Sequence, residues 1–319
     1  MSFLSIRGLT RDYGDGMPAL SELSLEVPNG GLLSLIGESG SGKTTLLRII
    51  AGLETQDQGE VFLNGEKILN PSEKLVPGYE EIQLVEQQHN LYPHSTVEEN
   101  ITRPLLSYDA EFKRNQVEAM LDLLDLQKHR KKLPSQLSGG QQQKVAIGRA
   151  LGVAPQVLLM DEPFSSLDGI QKRGIIDELR AIFEQLQVTV VMVTHDVDEA
   201  MMLTEQLGVL HHGKLVQKGL GRDIHQNPVN FYVANLFSDL NPVPHLSNVY
   251  IRSSDLLLGR NQGKLKGEVV SSQYLSAYNH LQIRIDGSPI LWKAKDGERK
   301  YQVGDQIFLT YKEEELLKF

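Results

Sequence analysis

One stretch limits the folds open to this chain more than any other: Gly37-Glu38-Ser39-Gly40-Ser41-Gly42-Lys43-Thr44, set between the apolar run Leu32–Ile36 and a helix-patterned stretch from Thr45 to Ala51. The spacing is G-x-x-x-x-G-K-T, that of a phosphate-binding loop joining a strand to a helix. Its glycines let successive backbone N–H groups close around a β-phosphate, Lys43 reaches the β and γ oxygens, and the Thr44 hydroxyl offers a Mg²⁺ ligand. A helix that begins at Lys43 adds the positive end of its dipole. A glycine-rich turn without a ligand is the alternative, and such a turn has no need of Lys-Thr after its last glycine. Nucleotide binding is expected, with kinases, GTPases, helicases and transport ATPases all still open.

The flanking pattern is that of an α/β chain. Phe3-Leu4-Ser5-Ile6 and Leu23-Ser24-Leu25-Glu26-Val27 alternate with period two, which predicts antiparallel edge strands. Glu60 to Ile68 carries Asn64-Gly65, the pair that supplies the positive φ angles of a type I′ hairpin. Gly52 closes the helix after the loop. From Ser95 to Leu151 the pattern is helical: Ser95-Thr96-Val97-Glu98 has capping-box spacing, and Phe112, Val117, Met120, Leu121 and Leu124 recur as a core stripe. Val157 to Met160 and Val188 to Val193 are fully apolar runs suited to a buried parallel sheet, and the helical patterns between them imply βαβ crossovers. The expected class is α/β: a P-loop NTPase core with a mostly parallel sheet, an antiparallel β subdomain, and a helical subdomain at about 90–153.

After Asn227-Pro228 a short helix through Phe237 is expected, and Asp239-Leu240-Asn241-Pro242-Val243-Pro244 reads as a linker. Glu268-Val269-Val270, His280 to Ile285, Pro289 to Ala294 and Gln306 to Tyr311 have the pattern of short strands, with Asp286-Gly287 turning between the second and third. Charge shifts at the same place. From Asn241 on, 7 Lys and 4 Arg face 4 Asp and 5 Glu, a balance of +2 against −11 for residues 1–240. The expected division is 1–240 followed by a small all-β, OB-like domain at 241–319.

The net charge of −9 argues against a non-specific grip on nucleic acid, which needs clustered Lys and Arg. No run approaches the ~20 apolar residues of a membrane span. Met1 to Arg7 shows no basic segment ahead of an apolar one. A cytoplasmic location without membrane insertion is expected. The absence of cysteine removes thiolate chemistry and cysteine metal sites.

Leu137-Ser138-Gly139-Gly140-Gln141 is a second marked turn. Ser138 and Gln141 have capping-box spacing, which suits an ordinary helix start and, with two glycines, also a backbone that approaches an anion. Farther on, the run Val157 to Met160 ends in Asp161-Glu162, acids placed where an open α/β sheet puts ligand chemistry. Asp161 suits a Mg²⁺ hydration shell and Glu162 the polarisation of an attacking water; a solvated strand end is the plainer alternative. The next apolar run ends in Thr194-His195-Asp196, which brings a histidine to the same expected edge.

In this order the motifs resemble the ATP-binding-cassette (ABC) family, from about residue 3 to about 235. The resemblance implies ATP and Mg²⁺ on Gly37, Glu38, Ser39, Gly40, Ser41, Gly42, Lys43, Thr44 and Thr45. It also implies adenine stacked on Tyr13, otherwise a surface tyrosine. Gln87 is similar to the glutamine that touches Mg²⁺ and senses the membrane partner, with Glu86 where the family has an aromatic. Thr44, Gln87 and Asp161 are the implied metal positions, and Lys43, Gln87, Glu162 and His195 the implied catalytic ones. Ser138, Gly139, Gly140 and Gln141 would cover the ATP of a second copy. Asp168, in Ser165-Ser166-Leu167-Asp168, resembles the loop that crosses the dimer interface, with a serine replacing the usual small apolar or Asn residue.

Leu91 to Val97 is similar to the segment that importer ATPases present to transmembrane subunits. Ile251-Arg252-Ser253-Ser254-Asp255-Leu256 resembles the start of the OB-like (TOBE) regulatory domain on such importers. The resemblance therefore implies a homodimeric ATPase subunit of an importer, peripheral on the cytoplasmic face of the cell membrane. Its implied partners are permease subunits and an external solute-binding protein, without nucleic acid. A soluble cassette ATPase of DNA repair or translation, an exporter's ATPase and a binding-only regulator are the alternatives. The single phosphate loop, the β-rich tail and the full set of catalytic positions count against them in turn.

Overall fold

The computed structural model describes residues 3–14 and 16–319, so the amino-end reading at Met1 and Ser2 lies outside the described residues, as does Asp15. The chain divides into two units, Met1–Ile224 and His225–Phe319.

The first unit contains, in order, β1 (Leu4–Arg11), β2 (Leu20–Val27), β3 (Leu32–Ile36), α1 (Lys43–Ile50), β4 (Gln58–Leu63), β5 (Glu66–Ile68), β6 (Ile82–Val85), α2 (Val97–Thr102), α3 (Ala110–Leu123) and α4 (Gly139–Leu151). It continues with β7 (Val157–Asp161), α5 (Gly169–Leu186), β8 (Thr189–Thr194), α6 (Val197–Leu203), β9 (Gln206–His211) and β10 (Lys214–Leu220), and α7 (Gly221–Gln226) runs across the division.

Its main sheet has six strands in the order β10-β9-β3-β8-β7-β6. All neighbours are parallel except β10, which pairs antiparallel with β9 at one edge. β7 and β8 are buried at every position, which explains why their sequences are unbroken apolar runs rather than alternations. The parallel arrangement carries the carboxyl ends of β3, β6, β7 and β8 to one edge, where the ligand crevice of an open α/β sheet lies.

A separate antiparallel sheet runs β2-β1-β4-β5. Its last hairpin turns on Asn64 at φ 49° and Gly65 at φ 85°, the double left-handed turn its sequence calls for. Leu4, Ile6 and Leu25 of that sheet share one core with Leu46 and Ile50 of α1 and Leu159 of β7. α1 ends in a Schellman turn, with the Gly52 N–H on the Ile49 carbonyl at 3.0 Å and the Leu53 N–H on the Arg48 carbonyl at 2.8 Å.

The capping box at α2 is shifted by one residue from its expected register. Thr96, not Ser95, is the N-cap, and Glu99, not Glu98, closes the box. Both Ser-Thr and Glu-Glu are doublets, so either spacing fits; the observed one turns Val97, Asn100 and Ile101 inward.

The second unit carries α8 (Phe231–Phe237), β11 (Leu240–Pro242), β12 (Val249–Arg252), β13 (Leu257–Gly259), β14 (Leu265–Tyr274), β15 (Asn279–Ile285), β16 (Leu291–Asp296), β17 (Gln306–Thr310) and β18 (Leu317–Lys318). Five of the strands form a curled antiparallel half-barrel sheet in the order β13-β17-β14-β15-β16, lined by Val269, Leu281, Ile283, Trp292 and Leu309. The stretch expected as a linker is partly β11, which pairs with β12 through Leu240 and Asn241. Asn241 is buried, and its carboxamide bonds both backbone groups of Lys293, at 2.9 and 2.7 Å. A polar side chain is tolerated inside because it is satisfied.

Candidate functional site

β3 leads into the phosphate loop, and two of the loop's glycines are required by close approach. A Cβ at Gly37 would lie 2.3 Å from the Leu210 carbonyl oxygen, and one at Gly42 would lie 2.1 Å from that of Ala19. Gly42 and Gly40 also hold left-handed angles, φ 95° and 82°. Gly42 is the N-cap of α1, so the open end of that helix faces the loop. Lys43 is 6% exposed and donates from Nζ to the Gly37 and Glu38 carbonyls, each at 2.8 Å, and more weakly to Ser41 Oγ at 3.4 Å. Burial holds its ammonium below the ordinary lysine range, against the opposite pull of Glu162, Asp161 and Glu38.

Asp161 closes β7 beside this lysine. Burial pushes its carboxyl above the ordinary range, a shift opposed by a hydrogen bond with the Thr44 hydroxyl and by Lys43. Hydroxyl and carboxylate oxygens are the ligands of a hard cation. Among the described residues no three His, Cys, Asp or Glu side chains converge on a metal position. The Thr44 hydroxyl and the Asp161 carboxylate are oxygen donors that fit Mg²⁺, which keeps waters and takes phosphate oxygens rather than an all-protein cage.

Glu162 follows in left-handed backbone, φ 43°, with its N–H on the Val193 carbonyl at 2.9 Å. A non-glycine residue adopts that region at a cost of about 1–2 kcal/mol, and here the strain aims the carboxylate along the sheet edge. Gln87 Nε2 reaches Glu162 Oε2 at 3.3 Å, and His195 Nδ1 lies 3.1 Å from Oε1. Ser165 Oγ sits 3.4 Å from the same Gln87 nitrogen and donates to the Glu162 carbonyl at 3.0 Å. Residues from the ends of β6, β7 and β8 thus meet around one carboxylate.

Sequence reasoning missed how the Gln87 loop is held. Glu86 pairs with Arg48 of α1 at 3.0 Å and accepts from Asn90. His89 and Asn90 are both left-handed, at φ 58° and 43°. Arg149, in the last turn of α4, donates to the Asn90 and His89 carbonyls at 2.6 and 2.9 Å. Partners 38 and 59 residues apart leave no local signal.

The 138–141 turn opens α4 as a capping box: Ser138 Oγ accepts from the Gln141 N–H at 3.3 Å, and Gln141 Oε1 accepts from the Ser138 N–H at 3.1 Å. A Cβ at Gly140 would lie 2.4 Å from Ile175 Cδ1, whereas one at Gly139 would meet nothing closer than 3.4 Å. Gly140 therefore serves the packing of α4 on α5, and a Cβ at Gly139 would make ordinary contact with Leu167 and Ser166. Asp168 caps α5 by accepting from the Gln171 N–H at 2.9 Å. The hydrogen bonds that involve the Ser138 and Gln141 side chains join these residues to each other and to His129, while those of the Lys43 side chain stay within its own loop. Tyr13 is 49% exposed under the Arg11 guanidinium, 4.5 Å from its ring centre.

Fold and loop together define a P-loop nucleotide-binding protein. A family model described as ABC transporter matches residues 20–165. The chain is 39% identical over 249 residues to the sulfate/thiosulfate import ATP-binding protein CysA of Synechococcus elongatus, covering 77% of this chain and 71% of that one. It is 34% identical over 315 residues to the spermidine/putrescine import ATP-binding protein PotA of Aggregatibacter actinomycetemcomitans, covering 97% and 82%. A dimeric ATP-binding cassette solved in a post-hydrolysis state with ADP and Pi superposes with a TM-score of 0.60 at 33% identity, over 69% of this chain and 99% of that one. The chain belongs to the ABC transporter family, as an ATP-hydrolysing subunit. Among the described residues no helix is long and apolar enough to cross a membrane.

Proposed function

We propose that the chain works as a homodimeric ATPase subunit of an importer, on the cytoplasmic face of a membrane, with separate permease subunits and an external solute-binding protein. The observation that carries the catalytic reading is the meeting of Gln87 and His195 on Glu162 at the carboxyl edge of the sheet. Gly37 to Thr45 cradle the phosphates, and Lys43 exchanges its loop carbonyls for β and γ oxygens. Tyr13 stacks on the adenine. Thr44, Asp161 and Gln87 would hold Mg²⁺, which would offset phosphate charge. Glu162 orients and polarises the water, and His195 turns from Glu162 to the γ-phosphate.

Ser138, Gly139, Gly140 and Gln141 of one copy cover the nucleotide of the other, and Asp168 crosses the same boundary. ATP is then an interfacial ligand whose hydrolysis lets the dimer open and drives the permease. The import direction rests on likeness to import ATP-binding proteins along 97% of this chain, second unit included. Glu162→Gln is expected to keep ATP affinity within about twofold and to lose at least ~100-fold in turnover, the scale of one general base. A Glu162→Gln chain that hydrolyses ATP at the normal rate would remove Glu162 from the mechanism.

A further inference from the structure

His129 stands beside the 138–141 turn, in a short turn that the helical region clamps from both sides. Gln127 donates to Glu118 at 3.0 Å and to Asp122 at 2.8 Å. Arg130 forks onto Glu98 at 2.7 and 3.1 Å and onto Glu118 at 2.9 and 3.3 Å. The Glu98 N–H bonds the Arg130 carbonyl at 3.0 Å, and the Val97 N–H bonds that of Lys132 at 2.9 Å. Between these anchors the His129 ring is delivered with Nε2 at 3.1 Å from Gln141 Nε2.

The polarity of that contact follows from the capping box. Gln141 Oε1 is committed to the Ser138 N–H, so the group facing His129 is the amide NH₂, a donor. His129 Nε2 must accept, which puts the ring proton on Nδ1, and Nδ1 is buried with no hydrogen-bond partner among the described residues. A side chain needed only to fill space would serve better as leucine, because a buried orphaned N–H is a penalty.

We propose that His129 is a positioning residue for the nucleotide-covering turn. By accepting from Gln141 it fixes the carboxamide with Oε1 on Ser138, and so keeps the turn in the shape that meets a nucleotide on a second copy. The inference rests on the composite-site reading above.

The test is a donor and acceptor series in the full-length chain. His129→Gln places an acceptor oxygen where Nε2 stood, His129→Leu offers neither function, and His129→Lys offers only donors. The Leu and Lys variants are expected to raise the KM for ATP about two- to tenfold, the range set by one neutral hydrogen bond, with a smaller change in kcat. Lys should be no better than Leu despite its favourable charge, and Gln should restore the wild-type KM. Binding of a fluorescent ATP analogue to the monomeric chain, which reads the chain's own phosphate loop, should be the same in all three.

Equal KM effects in all three variants with matching losses in melting temperature would overturn the proposal in favour of packing, as would a wild-type KM in the Leu and Lys variants. Ser138→Ala separates the two levels. If it raises KM while His129→Leu does not, only the His129 assignment fails. If it leaves KM unchanged, the composite-site reading fails.

Discussion

Two physical reasons, left-handed backbone and close approach, fall differently on the three glycines of the phosphate loop, and alanine substitution separates them. Gly42→Ala meets both obstacles. A Cβ in left-handed backbone costs about 1–2 kcal/mol. The 2.1 Å approach to the Ala19 carbonyl cannot be relieved by a rotamer, because the obstacle is backbone just before β2. Displacing it costs a further ~1–3 kcal/mol, as overpacking does generally. The total of about 2–5 kcal/mol corresponds to a melting temperature lower by roughly 5–15 °C for a unit of this size.

Gly40→Ala carries strain alone, since none of the described residues lies within 4 Å of its added carbon, and should cost about 1–2 kcal/mol. Gly37→Ala has no left-handed strain but meets the Leu210 carbonyl at 2.3 Å, so about 1–3 kcal/mol is expected. Thermal melts followed by circular dichroism give the order, and ATP titration of each variant shows whether the loop still closes on phosphate. A Gly42→Ala chain that melts with the wild type, or a Gly40→Ala chain that loses as much as Gly42→Ala, would refute these roles for the glycines.

Three further outcomes follow from the site. Lys172 of α5 pairs with Glu199 of α6, which is 4% exposed and also accepts from Thr194 Oγ1 at 2.7 Å; Lys172→Met leaves that carboxylate unpaired and should cost about 3–5 kcal/mol in thermal unfolding. Adding Glu199→Gln should recover most of it, and a double variant no more stable than the single would contradict the pairing. Tyr13→Ala should weaken ATP binding about five- to tenfold, the worth of one aromatic stack, with little change in turnover at saturation; an unchanged Kd in calorimetry would take Tyr13 out of the site. Burial raises the Asp161 carboxyl, so its penalty to the folded state grows as pH rises from the ordinary carboxylate range through the raised pKa, and a bound cation removes the proton. Mg²⁺-nucleotide uptake at mildly acidic pH should therefore release protons, seen as a buffer-dependent heat, and Asp161→Asn should release fewer.

Much of this was legible in the chain. The glycine spacing before Lys43 placed the strand, loop and helix, and Asn64-Gly65 placed a hairpin, because in both cases local backbone chemistry leaves one answer. Val157 to Met160 was readable because a strand buried on both faces cannot alternate. What escaped depends on distance along the chain. Ser95-Thr96 with Glu98-Glu99 permits two capping registers, and only the burial of Val97 and Ile101 selects between them. β11 looked like a linker because Pro242, with Pro244 just beyond it, masks a short pairing with β12 that exists only once β12 is in place. Nothing near Gln141 pointed to His129, and nothing near Gln87 to Arg149; each meets its target through tertiary packing.

If the nucleotide joins two copies, the mass of the Glu162→Gln chain in solution must depend on ATP. Light scattering on a size-exclusion column should give a monomer without nucleotide and a doubled mass with ATP and Mg²⁺. Ser138→Arg added to the same chain should return the monomer while ATP still binds. A monomer throughout, with ATP bound, would contradict the account.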